Sequence, residues 1–175
     1  MNAKGSAIKI LLLSDTHGHL DDRILAHAAE ADELWHAGDV GSLDVVDRLQ
    51  SMGKTVRGVY GNIDDAQMRR TWPQDQRFSI QGLRFWITHI AGPAGRLPTA
   101  IKNSLRAEPA DVLICGHSHI LRVGRDPSGV MCMNPGACGV HGFHKVRTML
   151  RFTIEAGQIC DLAVIELGAR GALKP

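Results

Sequence analysis

The run Cys115-Gly116-His117-Ser118-His119 sets two imidazoles two residues apart, directly after an apolar, strand-like segment at 112–115. Side chains two apart on an extended backbone point the same way, so a strand continued through the pair turns both rings to one side of a sheet. Neutral imidazole is a common metal ligand, and two aimed at one point make a candidate metal site. Similar residues stand at the ends of other strand-like runs. Residues 8–13 lead into Asp15-Thr16-His17, 34–37 into Gly38-Asp39, 55–60 into Gly61-Asn62, and 83–87 into Thr88-His89. Each run gives way to a loop at a residue able to bind a cation.

The set is Asp15, His17, Asp39, Asn62, His89, His117 and His119. It contains no thiolate, which argues against a closed structural zinc site; carboxylate, amide oxygen and imidazole together suit manganese, iron, zinc or nickel. Seven donors are more than one ion normally takes from protein, and two ions sharing one bridging carboxylate account for the number. Gly38, Gly61 and Gly116 recur just before ligands, where a missing Cβ lets the backbone turn sharply.

The elements that must position these residues change character along the chain. The first half alternates strand and helix at short intervals, the pattern of βαβ units feeding a largely parallel sheet. Asp21 is placed to cap a helix over 22–31, with Ile24, Leu25, Ala28 and Ala29 inward, and Ser42 to cap one over 43–51 that Gly53 closes. A short helix near 64–71 is stopped by Pro73. Beyond it, 77–80 and 83–88 read as a hairpin about Gln81-Gly82, followed by a helix over 99–107. Strands are expected at 111–115, 120–123, 130–133, 148–153 and 159–165. The expectation is one domain spanning 1–175, with a core over about 7–167 and a frayed tail at 168–175. Two sheets would stack face to face with helices outside, gathering the ligand loops where strand C-termini open into a crevice.

Composition narrows the partners. The formal charge is only +2 and the basic residues are interspersed, so no nucleic-acid footprint is expected. No apolar stretch approaches the roughly 20 residues of a membrane span, and the N-terminus leads straight into a ligand-bearing strand rather than a cleaved leader, so a soluble, cytoplasmic protein is the expectation. Cys115, Cys132, Cys138 and Cys160 lack C-x-x-C spacing and are read as reduced, Cys115 and Cys160 as buried small hydrophobes.

Taken in order, Asp15-x-His17, Gly38-Asp39, Gly61-Asn62, Thr88-His89 and Gly116-His117-x-His119 resemble the five motifs of the calcineurin-like metallophosphoesterases. The short chain and its Asn134-Pro135-Gly136 turn are similar to the small single-domain phosphodiesterase branch, which also contains the retromer scaffold subunit. The resemblance implies an α/β fold, a four-layer αββα sandwich of two mixed β-sheets flanked by helices. It implies two divalent ions, manganese foremost, with nickel, iron or zinc as alternatives. Asp15, His17 and His119 would bind one ion, Asn62, His89 and His117 the second, and Asp39 would bridge. The implied activity is hydrolysis of a small organic phosphate ester, foremost a diester, by a hydroxide held between the ions. Asp39, Asn62 and His89 would act through that hydroxide and the phosphate. A phosphomonoesterase and a non-catalytic scaffold of the same fold are the alternatives, and the full ligand set favours an enzyme. A recombination-repair nuclease is disfavoured by charge and length. A homodimer is the expected assembly.

Two departures matter. Larger branches follow the motif asparagine with a histidine thought to protonate the leaving group, whereas this chain has Ile63, which cannot donate a proton. His89 is followed by Ile90 where a glycine and a further histidine are frequent, which puts the substrate range in question. Outside the set, His19 is a candidate for touching substrate, its alternative being a capping contact. His141 and His144 are candidates for reaching the phosphate from a Gly-rich loop, and His36 reads as a core histidine.

Overall fold

Alternation along the first strand sets the layers. The computed structural model describes residues 6–171, and Ile8–Leu13 forms β1. Leu11 and Leu13 pack with Ile24 and Ala28 of α1 (Asp22–Ala29) and with Val46 and Leu49 of α2 (Leu43–Gln50). Ile10 and Leu12 face the other way, into a second cluster. There they meet Phe85 and Ile87 of β5 (Leu83–Thr88) and Val112 and Ile114 of β6 (Val112–Ile114). The period of two therefore gives each strand one face for helices and one for the opposite sheet.

β1 pairs in parallel with β2 (Glu33–His36), which pairs in parallel with β3 (Thr55–Gly58). On its other edge β1 runs antiparallel to β9 (Val146–Glu155), and β9 to β10 (Gln158–Ala169). The second sheet has the order β4, β5, β6, β8, β7, where β4 is Asp75–Ile80, β7 Leu121–Arg125 and β8 Met131–Pro135. Within it β5, β6 and β8 are parallel. Trp35 fills the space between the sheets, its ring 4.9–5.5 Å from those of Phe78, Phe85 and Phe152. A third cluster joins Trp86, Leu113 and Cys132 to Leu105 of α4 (Thr99–Ala107), completing helix, sheet, sheet, helix.

Several boundaries differ from the sequence reading. β6 stops at Ile114, so His117 and His119 lie in a loop and the extended-strand argument for their shared direction fails. α3 (Ala66–Thr71) starts at Ala66 and not at 64 because Asp65 is its cap; Asp64 is drawn inside instead. α1 ends at Ala29, short of residue 31. The expected tail begins within β10, which continues to Ala169, and Arg170 then donates to the carbonyl oxygens of His144 and Val140. Residues 172–175 of that tail lie outside the described residues.

Candidate metal centre

All seven candidate ligands lie just beyond the C-termini of parallel strands: Asp15 and His17 after β1, Asp39 after β2, Asn62 after β3, His89 after β5, and His117 and His119 after β6. Five of them hold left-handed backbone, with φ of 55° at Asp15, 45° at His17, 52° at Asp39, 66° at His117 and 58° at His119. Non-glycine residues adopt this region at a cost of order 1 kcal/mol or more, and such strain gathers at functional sites. Here the neighbouring loop holds it: Asp15 N–H donates to Gly38 O and His17 N–H to Asp39 O, both at 3.0 Å.

The side chains form two clusters, Asp15 with His17 and His119, and Asp39 with His89 and His117. In the first, Asp15 Oδ1 lies 3.2 Å from His119 Nε2 and 4.0 Å from His17 Nε2. In the second, His89 Nε2 is 3.2 Å from Asp39 Oδ1 and 3.0 Å from Asn62 Oδ1, which is itself 2.9 Å from His117 Nδ1. Asp39 faces both: its Oδ2 is 3.6 Å from His17 Nε2.

Hydrogen bonds on the far sides of two rings decide what these atoms can accept. His89 Nδ1–H donates to Ala37 O at 2.8 Å, which leaves a lone pair on Nε2 of the neutral ring. His144 Nε2–H donates to Gly139 O at 2.9 Å, making its Nδ1 an acceptor for His119 Nδ1–H at 3.2 Å. His119 Nε2 then also points a lone pair at Asp15. Lone pairs facing carboxylate oxygens at these distances repel unless a cation stands between them. Buried Asp15 Oδ1 and His17 Nε2 find no hydrogen-bond partner, a deficit that burial makes costly and a metal ion would remove. The residues thus fit two divalent cations.

Protonation equilibria agree. Burial pushes the His17 imidazole below its ordinary pKa despite Asp39 and Asp15 nearby, so it is ready to ligate. Burial alone would raise the Asp39 carboxyl, but hydrogen bonding from His89 outweighs it and holds the group below the usual range. His89 is disfavoured as a cation by burial, yet Asp39 overcomes this and raises its pKa.

The scaffold behind the ligands is dense. Ser14 Oγ donates to Asp15 Oδ2 at 2.6 Å, and His117 N–H donates to the same oxygen at 3.1 Å. Asp64 accepts the backbone N–H groups of Val40, Gly41 and Gly61 at 3.1, 2.8 and 2.7 Å, tying the Asp39 loop to the Asn62 loop. Asn134 Nδ2 donates to Gly116 O at 2.8 Å and to Ser118 Oγ at 3.1 Å, bracing the His117 loop. A Cβ on Gly61 would stand 2.1 Å from Asp39 Oδ1, and one on Gly116 2.1 Å from Ser14 Oγ, so both positions require hydrogen.

The remaining candidates separate. His19 Nε2 sits 3.1 Å from Asp21 Oδ2, in the cap of α1 rather than against either cluster. His141 is exposed, with its ring centroid 4.9 Å from that of His17. His144 reaches the site only through His119. His36 is fully buried, accepting from Gly38 N–H at Nδ1 and donating from Nε2 to Thr16 Oγ1; burial pushes its pKa down to about 4. Arg69, exposed on α3, donates from Nε to Asp64 O at 2.9 Å. Burial pushes the Cys115 and Cys138 thiols up to about 12, which keeps them inert. Sequence reasoning passed over Ser14, the threefold role of Asp64 and the His144–His119 relay. Only the proximity of Ser14 and Asp64 to ligands was a visible signal.

Comparison with known proteins agrees with this geometry. The Calcineurin-like phosphoesterase superfamily domain matches residues 8–157. A probable metallophosphoesterase of Mycoplasma pneumoniae is 30% identical over 162 residues, covering 88% of this chain and 94% of its own. Vacuolar protein sorting 29 from Cryptosporidium parvum shares the fold with a TM-score of 0.71 at 19% identity, over 93% of this chain and 98% of that one. A structure described as a novel archaeal phosphodiesterase shares it with a TM-score of 0.68 at 22% identity, over 91% of this chain and 100% of that one. A match over the whole ligand-bearing span, together with two clusters whose lone pairs call for cations, places this chain in the calcineurin-like phosphoesterase superfamily.

Proposed function

We propose that this protein is a metal-dependent phosphodiesterase acting on a small organic phosphate. The observation that carries the reading is Asp39, which presents one oxygen to each of the two donor clusters. Asp15, His17 and His119 would hold one ion, Asn62, His89 and His117 the other, and Asp39 both, with manganese the first metal to try. When bound, such a pair supplies an activated water and neutralises charge on the phosphate oxygens. The chain's own contribution is orientation. Ala37 O fixes His89, His144 fixes His119, and the Ile63 N–H holds Asp39 Oδ1 at 3.1 Å.

Proton supply to the leaving group is the open role. Ile63 cannot fill it, and His19 is engaged with Asp21. His141, exposed with its ring centroid 4.9 Å from that of His17, is the imidazole we assign to it, and an activated leaving group would need no acid. The intact donor set supports catalysis over a purely scaffolding role, and the archaeal phosphodiesterase of like fold supports a diester over a monoester.

The test reconstitutes metal-free protein with manganese, nickel, iron or zinc and assays each form on phosphodiesters and monoesters. Metal-dependent turnover that favours diesters is expected, and Asp39→Ala should lose bound metal and turnover together. Activity retained in that variant with full metal content overturns the site assignment. Absence of turnover with every metal overturns the enzyme reading in favour of the scaffold.

A further inference from the structure

Three of the seven ligands, Asn62, His89 and His119, are each followed by an isoleucine, and Ile63, Ile90 and Ile120 are 47%, 51% and 50% exposed. Scattered exposed apolar side chains are ordinary, but a group of them bordering a polar, charge-bearing centre is not. Ile90 and Ile120, with Val123 at 42% exposure, line a cleft of about 850 Å³. His117 lines the same cleft, so the cleft and the second cluster are one continuous surface. These β-branched side chains are stiff and give up little rotamer freedom when covered.

Continuity fixes the occupant. A phosphate diester bound at His117 carries an organic arm on each side of phosphorus, and one must leave the metal centre along this apolar wall. Arg96 and Arg122 also line the cleft, and among the described residues neither side chain makes an ion pair or hydrogen bond. A planar guanidinium stacks on an aromatic face even while it pairs with a carboxylate, as Arg57 does over Phe78 at 4.2 Å beside Glu33 and Arg77 over Trp86 at 4.0 Å beside Glu108. Among the described residues Arg96 and Arg122 have their planes uncommitted to any such partner. We propose that this cleft receives one ester arm of the substrate and selects an aromatic ring for it. The inference rests on the phosphodiesterase reading and names its substrate class: a diester of phosphate with at least one aryl or heteroaryl arm.

Binding, measured apart from turnover, tests this. Manganese-loaded protein is titrated calorimetrically with monomethyl phenylphosphonate and monomethyl methylphosphonate, two monoanions that differ only by the ring. The phenyl compound should bind about tenfold or more tightly, the return expected from partly burying a ring. In Ile120→Ser and in Val123→Ser that ratio should fall toward one, and Arg122→Ala should reduce it. A substitution that merely harmed folding or metal loading would weaken both compounds and leave the ratio intact. Equal affinities in the wild type, or a preference that survives both serine variants, overturns the proposal. A phenyl preference without diester turnover would overturn the catalytic reading while upholding the cleft.

Discussion

For His89 and His119, the nitrogen turned away from the clusters decides what the other can do. His119 depends on His144, whose Nδ1 accepts from it only because His144 Nε2–H is committed to Gly139 O. Removing that acceptor in His144→Phe frees the tautomer and orientation of His119. Manganese affinity, read by calorimetry, should fall about 10–100-fold, with partial recovery in His144→Gln. His36 gives a different signature. Its folded pKa of about 4 lies below its ordinary 6.5, so between those values the unfolded chain binds the extra proton. Stability is therefore fully present above pH 6.5 and drains away as pH falls toward 4, by about 3 kcal/mol in all at this fully buried site. Urea unfolding of metal-free protein should show that loss, and it should be smaller by the same amount in His36→Gln. Equal slopes in the two proteins would refute the buried neutral imidazole.

Among the elements, legibility followed periodicity. β1 and α4, and the capping of α1 and α2 by Asp21 and Ser42, answer to local patterns, and the structure places them as the residues indicate. The direction of the His117 and His119 rings does not, because both residues hold left-handed backbone that a sequence window cannot reveal. That conformation is imposed by tertiary contacts such as His117 N–H to Asp15 Oδ2, between residues 102 apart in sequence. The division of the pair between two ions was implied by family resemblance, never by strand geometry. Asp64 was legible in part: its place just after the motif asparagine reads as orienting a ligand or capping a helix; the cap is Asp65, and the Asp64 carboxylate joins the ligand loops after β2 and β3 through the N–H groups of Val40, Gly41 and Gly61. Asp64→Ala strands these donors in or near the core, and each buried one costs about 1–3 kcal/mol. A loss of about 3 kcal/mol or more in urea unfolding is expected, with Asp64→Asn losing less. A loss under about 1 kcal/mol would show that water replaces the carboxylate.

For the molecule as a whole, the two clusters matter because each draws donors from both sheets. Asp15 and His17 follow a strand of the first sheet and His119 one of the second; Asp39 and Asn62 belong to the first, His89 and His117 to the second. The sheets are otherwise joined mainly by apolar packing around Trp35, which tolerates small sliding more readily than directed bonds do. A cation in either cluster is therefore a cross-link between layers, binding the folded arrangement and not the unfolded chain. With manganese at about 100 times its dissociation constant, each site should add about 2.7 kcal/mol of stability. For a domain of 175 residues this is a rise of about 5–10 °C in Tm per site, reversed by chelation. Hydrogen exchange locates the effect: metal should slow exchange in β2 and β3 on one sheet and in β5 and β6 on the other together. Asp39→Ala should remove both the Tm rise and the paired protection. Protection confined to one sheet would mean that the donors of the two sheets do not share their ions.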